Sequence, residues 1–127
     1  MMTNQEIFDE LGQLGSLLGL FVLMTSIDGN TEESEIHAGI KSFRRFTDQD
    51  VVPYIEKYFA LEEKLGKGRM FEYLQSCLAF FKENLSAAIR VEIMRELEEI
   101  AKSDGVIHEN EGILFHYVAL ELGVKLN

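Results

Sequence analysis

The sequence predicts an all-α protein, a single compact bundle of about six helices. Apolar residues recur with the 3.6-residue period of helices along most of the chain, and no segment alternates convincingly with the two-residue period of a strand. The chain contains one proline and no low-complexity run, so residues 1–127 are expected to form one domain. At 127 residues it can bury a core without metal or disulfide support.

The first predicted helix runs to Ile27 and is apolar nearly all round from Leu17 onward, as expected for a helix surrounded by others. Gly12, Gly15 and Gly19 recur in it at helical spacing, which predicts close approach of a neighbouring backbone. Two glycines four residues apart also occur in transmembrane dimers. The apolar run is shorter than the roughly 20 residues of a span and has no basic residue before it. We therefore expect no integral membrane span, and we leave peripheral membrane association open.

The next three helices are predicted from turn and cap signals. They are expected to span residues 31–46, from 47–50 to 65, and 69–84. Pro53 is tolerated near a helix start because the first amides of a helix have no partner within it. Gly66-Lys67-Gly68 is predicted to stop the third helix. The side chains predicted to face the core are Ile36, Ile40, Phe43, Phe46, Met70, Phe71, Leu74, Leu78 and Phe81.

Two further helices complete the prediction. Ser86 is expected to cap a helix that ends at Ala101, and the last helix is expected over residues 108–122, with Gly123 just after its end. The side chains predicted to point inward are Ile89, Ile93, Leu97, Ile100, Ile113, Leu114, Tyr117, Val118 and Leu122, and His116 is expected to be a packing residue.

Two joints between these helices carry the same acidic pattern. Asp28-Gly29 is followed seven residues later by Glu35, and Asp104-Gly105 is followed seven residues later by Glu111. Each Asp-Gly pair suits a tight turn, and each glutamate falls in the first turn of the next helix. The chain thus resembles two related helix–Asp-Gly–helix hairpins with an insert between them. A single repeated pair is too few for a solenoid.

The two hairpins and the segment LSAAIRVEIMRELEEIAKSDGVIHENEGILFHYVALELG are similar to the TerB-like family. This family is named for bacterial tellurite resistance, and its domain also occurs at the N-terminus of DjlA-class co-chaperones. The resemblance extends from about Leu17 to Gly123 and implies a compact helical bundle linked to metal-oxyanion and envelope stress. It also implies that a metal ion is bound by acidic residues at the two joints, which are Asp28, Glu35, Asp104 and Glu111.

On the residues alone, two interpretations of the joints stay open. The glycines can supply the positive φ of a tight turn, and a first-turn glutamate can bond back to the N-cap amide. Alternatively, if the joints converge, their carboxylates repel one another, and a divalent cation such as Ca²⁺, Mg²⁺ or Mn²⁺ would relieve the repulsion. An EF-hand is excluded by spacing, because counting from Asp28 puts Glu33 where that loop needs glycine.

Composition narrows the function further. The chain has 22 acidic and 12 basic residues and a net charge of −10, which disfavours nucleic acid as a partner. The lone Cys77 lies in an apolar segment and is expected to be a buried thiol, in keeping with a cytoplasmic protein. Glu96–Glu99 is expected to be an ordinary charged face. No nucleophile motif or phosphate-binding loop is present, so the protein is not expected to be an enzyme.

The expected function is a non-enzymatic TerB-like binding module, responsive to a divalent metal, in a bacterial stress response. It would act through an unknown protein partner or by self-association. The alternative is a helical protein-interaction domain without a ligand. A metal-dependent hydrolase is a weaker alternative, since it needs the carboxylates to hold a metal that activates water.

Overall fold

The computed structural model describes residues 2–27, 33–103 and 105–126, with the backbone alone for 33–35. Six α-helices follow one another along this part of the chain, and it contains no strand. They are α1 (Asn4–Ser26), α2 (Glu33–Arg44), α3 (Val52–Leu65), α4 (Lys67–Asn84), α5 (Ala87–Ala101) and α6 (Glu109–Leu122). The predicted all-α fold is therefore confirmed.

Helix α1 is the central helix of the bundle, because it contacts each of the five other helices. Every residue from Gly15 to Phe21 is buried, so the predicted core helix is confirmed. By length and composition alone, α1 is also the one described helix that could cross a membrane, with a mean hydropathy of 1.5 over 18 residues. Of that window, 56% is buried within the bundle. Core helices of soluble proteins pass the same test, so the feature is weak evidence for a span.

Two glycines of α1 allow α3 to lie directly against it. A Cβ atom at Gly19 would lie 2.6 Å from Cε2 of Tyr58, and one at Gly15 would lie 3.4 Å from Cδ1 of Tyr54. Because 2.6 Å is closer than carbon atoms pack, the approach at Gly19 requires glycine. The predicted close approach is confirmed, and the neighbour is α3 of the same chain. The two contacts also show that α1 and α3 run side by side in the same direction.

Gly12 does not belong to this contact surface, so the close approach predicted at this glycine is wrong. Its φ of +69° and ψ of −177° interrupt the helix, and a Cβ there would meet nothing within 4 Å. The interruption redirects the first turns of α1 onto α4, where the rings of Phe8 and Phe80 lie 5.1 Å apart. Ser16 stabilises the bend, since its hydroxyl donates to the Gly12 carbonyl at 2.8 Å.

Helix α3 begins at Val52, after the segment 47–50 in which the sequence predicts its start. Pro53 therefore lies in the first turn, where its missing amide hydrogen leaves no intrahelical bond unmade.

Several other predicted helix ends are confirmed, and one is corrected. Ser86 Oγ accepts a hydrogen bond from the Ile89 amide at 3.2 Å, and Gly123 ends α6 with a φ of +69°. Gly66 alone separates α3 from α4, whereas the prediction assigned the break to Gly66-Lys67-Gly68. Gly66 suffices because its φ of +91° turns the chain sharply and its amide donates to the Glu62 carbonyl at 2.8 Å.

Most of the predicted core is confirmed, but three isoleucines and a histidine are exposed. Ile36, Ile89 and Ile113 are 47%, 42% and 61% exposed, and His116 is also on the surface. The isoleucines lie in the first five residues of their helices, on a side that the neighbouring helices leave open. The predicted core residues that are buried include Phe43, Met70, Leu74, Leu78, Phe81, Ile93, Leu97, Ile100, Leu114, Val118 and Leu122.

Glu96 is buried between α2 and α5, so its prediction as part of a charged face is wrong. It is 4% exposed. Its Oε1 atom accepts a hydrogen bond from Ser42 Oγ at 2.9 Å and lies 3.3 Å from Arg45 Nε. A buried carboxylate is costly without donors, and these come from Ser42 of α2 and from Arg45, the residue that follows α2. This cluster therefore connects α2 to α5 by polar contacts within an otherwise apolar interface.

We expect Glu96→Ala to lower the free energy of unfolding by roughly 1–3 kcal/mol, because the buried Ser42 hydroxyl loses its acceptor. Urea unfolding followed by circular dichroism measures the change. Glu98→Ala is the matched control, since it removes an exposed i, i+4 pair with Lys102, which is worth roughly 0.3–0.5 kcal/mol. Equal losses in the two variants would contradict the role assigned to Glu96.

Candidate functional site at the helix joints

Most of the predicted metal site falls outside the described residues. Asp28 and Asp104 are not among them, and neither is the side chain of Glu35. Glu111 is the predicted ligand whose side chain is described. Among the described residues, no group of three or more His, Cys, Asp and Glu side chains is placed to hold a metal ion. The set of four carboxylates therefore stays a prediction.

Glu111 is 0% exposed in the first turn of α6. Its Oε1 atom accepts a hydrogen bond from the amide of His108, the N-cap residue, at 3.0 Å. This is the bond that the turn-and-cap interpretation predicts, and the helix dipole also favours a carboxylate here. Since a carboxylate has about four lone-pair sites on its two oxygens, this bond is compatible with metal ligation by the same group.

The described residues that flank the two joints lie at one end of the bundle. Ile27, which precedes Asp28, and Asn110, which precedes Glu111, line the same cavity of about 330 Å³. The end of α1 and the start of α6 are therefore neighbours. Contacts of α1 with α5 and α6, and of α2 with α5, connect the two hairpins.

The second joint also presents apolar side chains to solvent. Gly105 has a φ of +89°, which confirms the conformation predicted for this glycine. Val106 and Ile107 follow it and are both exposed. The corresponding Gly29 lies outside the described residues.

A second candidate site is an apolar cavity between α1, α2 and α3. Its volume is about 340 Å³, within the range of small-molecule sites. Its apolar walls are formed by Leu18, Val22, Ile36, Ile40, Ile55 and Phe59. Sequence reasoning missed this cavity, because a space between three helices leaves no local pattern. The half-exposed Ile36 and Phe59 mark its edges.

Cys77 has the environment of a packing residue. It is buried, as predicted, and lies with Tyr73 beside a smaller cavity of about 200 Å³. Burial raises the pKa of the Cys77 thiol, and burial also raises the pKa of the Tyr73 hydroxyl. A thiol that stays protonated is a poor nucleophile, so this cluster does not favour covalent catalysis.

Comparison with protein families agrees with the helical architecture. The family model described as tellurite resistance protein TerB matches residues 15–126. The chain belongs to the TerB family. The matched region contains both Asp-Gly joints and the whole of α2 to α6, so the resemblance inferred from the sequence is confirmed. No curated protein and no solved structure matches the chain.

We expect Glu111→Ala to lower the free energy of unfolding by about 1 kcal/mol or more, because the His108 amide loses its acceptor. Glu111→Gln should lose less, since glutamine also accepts this bond in capping boxes. Glu109→Ala, at an exposed position of the same helical turn, is the control. Urea unfolding compares the three variants, and an alanine variant as stable as the glutamine variant would show that the capping bond contributes nothing.

Proposed function

We propose that this TerB-family protein is a non-enzymatic, divalent-metal-responsive binding module of a bacterial stress response related to tellurite resistance. The observation that supports this most strongly is the family match, which contains both acidic joints. The buried carboxylate of Glu111 adds support, because buried charges are paired or coordinate metals.

The metal would be held by Asp28, Glu35, Asp104 and Glu111. Oxygen-only ligands suit Ca²⁺, Mg²⁺ or Mn²⁺. Ile27 and Asn110 line the same cavity, so the end of α1 lies close to the start of α6, which supports the proposal. A bound cation would relieve repulsion between the carboxylates and connect the two hairpins.

The module would transmit metal binding to a partner rather than catalyse a reaction. Exposed Val106 and Ile107 lie beside the second joint, so neutralising the joint's carboxylates would change the charge around an apolar surface. We propose a protein partner or a second copy in the cytoplasm, with peripheral membrane association as a further possibility. The net charge of −10 disfavours nucleic acid.

One observation favours the alternative of a ligand-free helical interaction domain. The bond between Glu111 and the His108 amide gives this glutamate a structural role without a metal. If both joints use their acidic residues in this way, the repeated pattern is turn and cap chemistry.

Thermal unfolding of EDTA-stripped protein tests the proposal. The midpoint is measured with Ca²⁺, Mg²⁺, Mn²⁺ or Zn²⁺ for the parent and for Asp28→Asn and Asp104→Asn. A metal at a hundred times its dissociation constant adds about 2.7 kcal/mol, or several degrees for a domain of this size. Asp48→Asn, at an exposed position away from the joints, is the control for the loss of one negative charge.

We expect one metal to raise the midpoint of the parent and of Asp48→Asn, and both joint variants to lose the response. Loss in both would mean that the two joints form a single site. No shift with any metal would overturn the metal site and leave the ligand-free alternative.

A further inference from the structure

We propose that the cavity between α1, α2 and α3 binds a single-chain amphiphile with an anionic head, of the fatty acid class. This site does not depend on the proposed metal site. The cavity holds about 340 Å³ and is bounded by side chains from α1, α2 and α3, with Lys67 of α4 at one end. Leu18 is buried at its floor, while Ile36 and Phe59 at its edges are half exposed. An alkyl chain would cover these two side chains and remove apolar surface from water.

The lining of the cavity changes from apolar to polar along its length. Gly15 faces Tyr54 and Gly19 faces Tyr58, so α1 and α3 run in the same direction. Leu18 and Ile55 consequently lie toward one end of the cavity. The polar lining residues Thr25 and Ser26 of α1 and Glu62 of α3 come later in both helices and lie toward the other end, with Lys67. A graded lining of this kind matches a molecule with an apolar tail and a polar head.

The polar end favours an anionic head. Lys67 makes no ion pair with any described residue, although Glu62 lines the same cavity. Lys67 is also the first residue of α4, whose N-cap Gly66 provides no side-chain hydrogen bond to the first amides. The helix dipole therefore adds positive potential beside the ammonium group. The carboxylate of Glu62 would repel an anionic head, so we expect the removal of this charge to strengthen binding.

The hydroxyl groups at this end can also receive a polar head. Thr25 Oγ1 donates to the Val22 carbonyl at 2.6 Å, and Ser26 Oγ donates to the same carbonyl at 3.2 Å. Both donors are therefore used within α1, and the oxygen lone pairs stay available. Because an ionised carboxylate is also acceptor-only, these oxygens would contact the anionic head through a water molecule that donates to both.

Isothermal titration with dodecanoate, below its micelle concentration, tests the proposal. Dodecyltrimethylammonium has the same tail with the opposite charge and serves as the paired probe. We expect dodecanoate to bind at one molecule per chain and more tightly than the cationic probe. Lys67→Gln should weaken dodecanoate binding roughly two- to five-fold, the effect of a solvent-exposed ion pair, and Glu62→Gln should strengthen it.

Lys64→Gln is the matched control, because Lys64 is exposed near Lys67 but does not line the cavity. Val22→Phe should abolish binding by filling the cavity. If that variant does not fold, Phe59→Ser removes a half-exposed wall instead, and Leu120→Ser, at a position that is 75% exposed, is its control.

Three results would overturn the proposal. They are the absence of saturable binding, equal or tighter binding of the cationic probe, and dodecanoate binding that survives loss of the cavity. Vesicles of phosphatidylglycerol distinguish the source of the acyl chain. If the protein co-sediments with these vesicles but does not bind free dodecanoate, its ligand is a membrane lipid and not a free fatty acid. That result would also overturn the proposal.

Discussion

The contact between Gly19 of α1 and Tyr58 of α3 is the constraint on which the rest of the bundle depends. The tyrosine ring occupies the space that any side chain at position 19 would need, and Leu74 of α4 closes the same space from another side, 3.1 Å from a Cβ there. Three helices therefore meet at one glycine. Together with the contact between Gly15 and Tyr54, it shows that α1 and α3 run in the same direction, so the polar lining of the apolar cavity lies at one end.

Because α1 is apolar on nearly all sides, all five other helices are needed to cover it. This requirement brings the two hairpins together, and buried polar groups then fix how they fit. Glu96 accepts a hydrogen bond from Ser42 of α2 and pairs with Arg45 just after that helix, and Glu111 caps α6. Both carboxylates can lie inside the protein because the backbone or a neighbouring segment supplies hydrogen-bond donors to them. An acidic chain of net charge −10 needs such donors wherever it buries a glutamate.

The sequence alone predicts the helices well, because their period, their caps and the glycine turns are local signals. It fails where the conformation or burial of a residue depends on a part of the fold that is distant in sequence. Gly12 has the spacing of Gly15 and Gly19 but a positive φ, and spacing does not report φ. Glu96 stands among other glutamates and is buried because α2 lies over it. The acidic joints are visible in sequence, whereas the apolar cavity is made by residues far apart in the chain.

A double-mutant cycle of Gly19→Ala and Tyr58→Leu tests the central contact most directly, with free energies of unfolding from urea titration. Gly19→Ala should lose roughly 1–3 kcal/mol in the parent and distinctly less beside leucine, because the smaller side chain leaves room for the added methyl. Gly68→Ala, where a Cβ meets nothing within 4 Å, should lose nothing. A Gly19→Ala variant as stable as the parent, or equally costly in both backgrounds, would contradict the account.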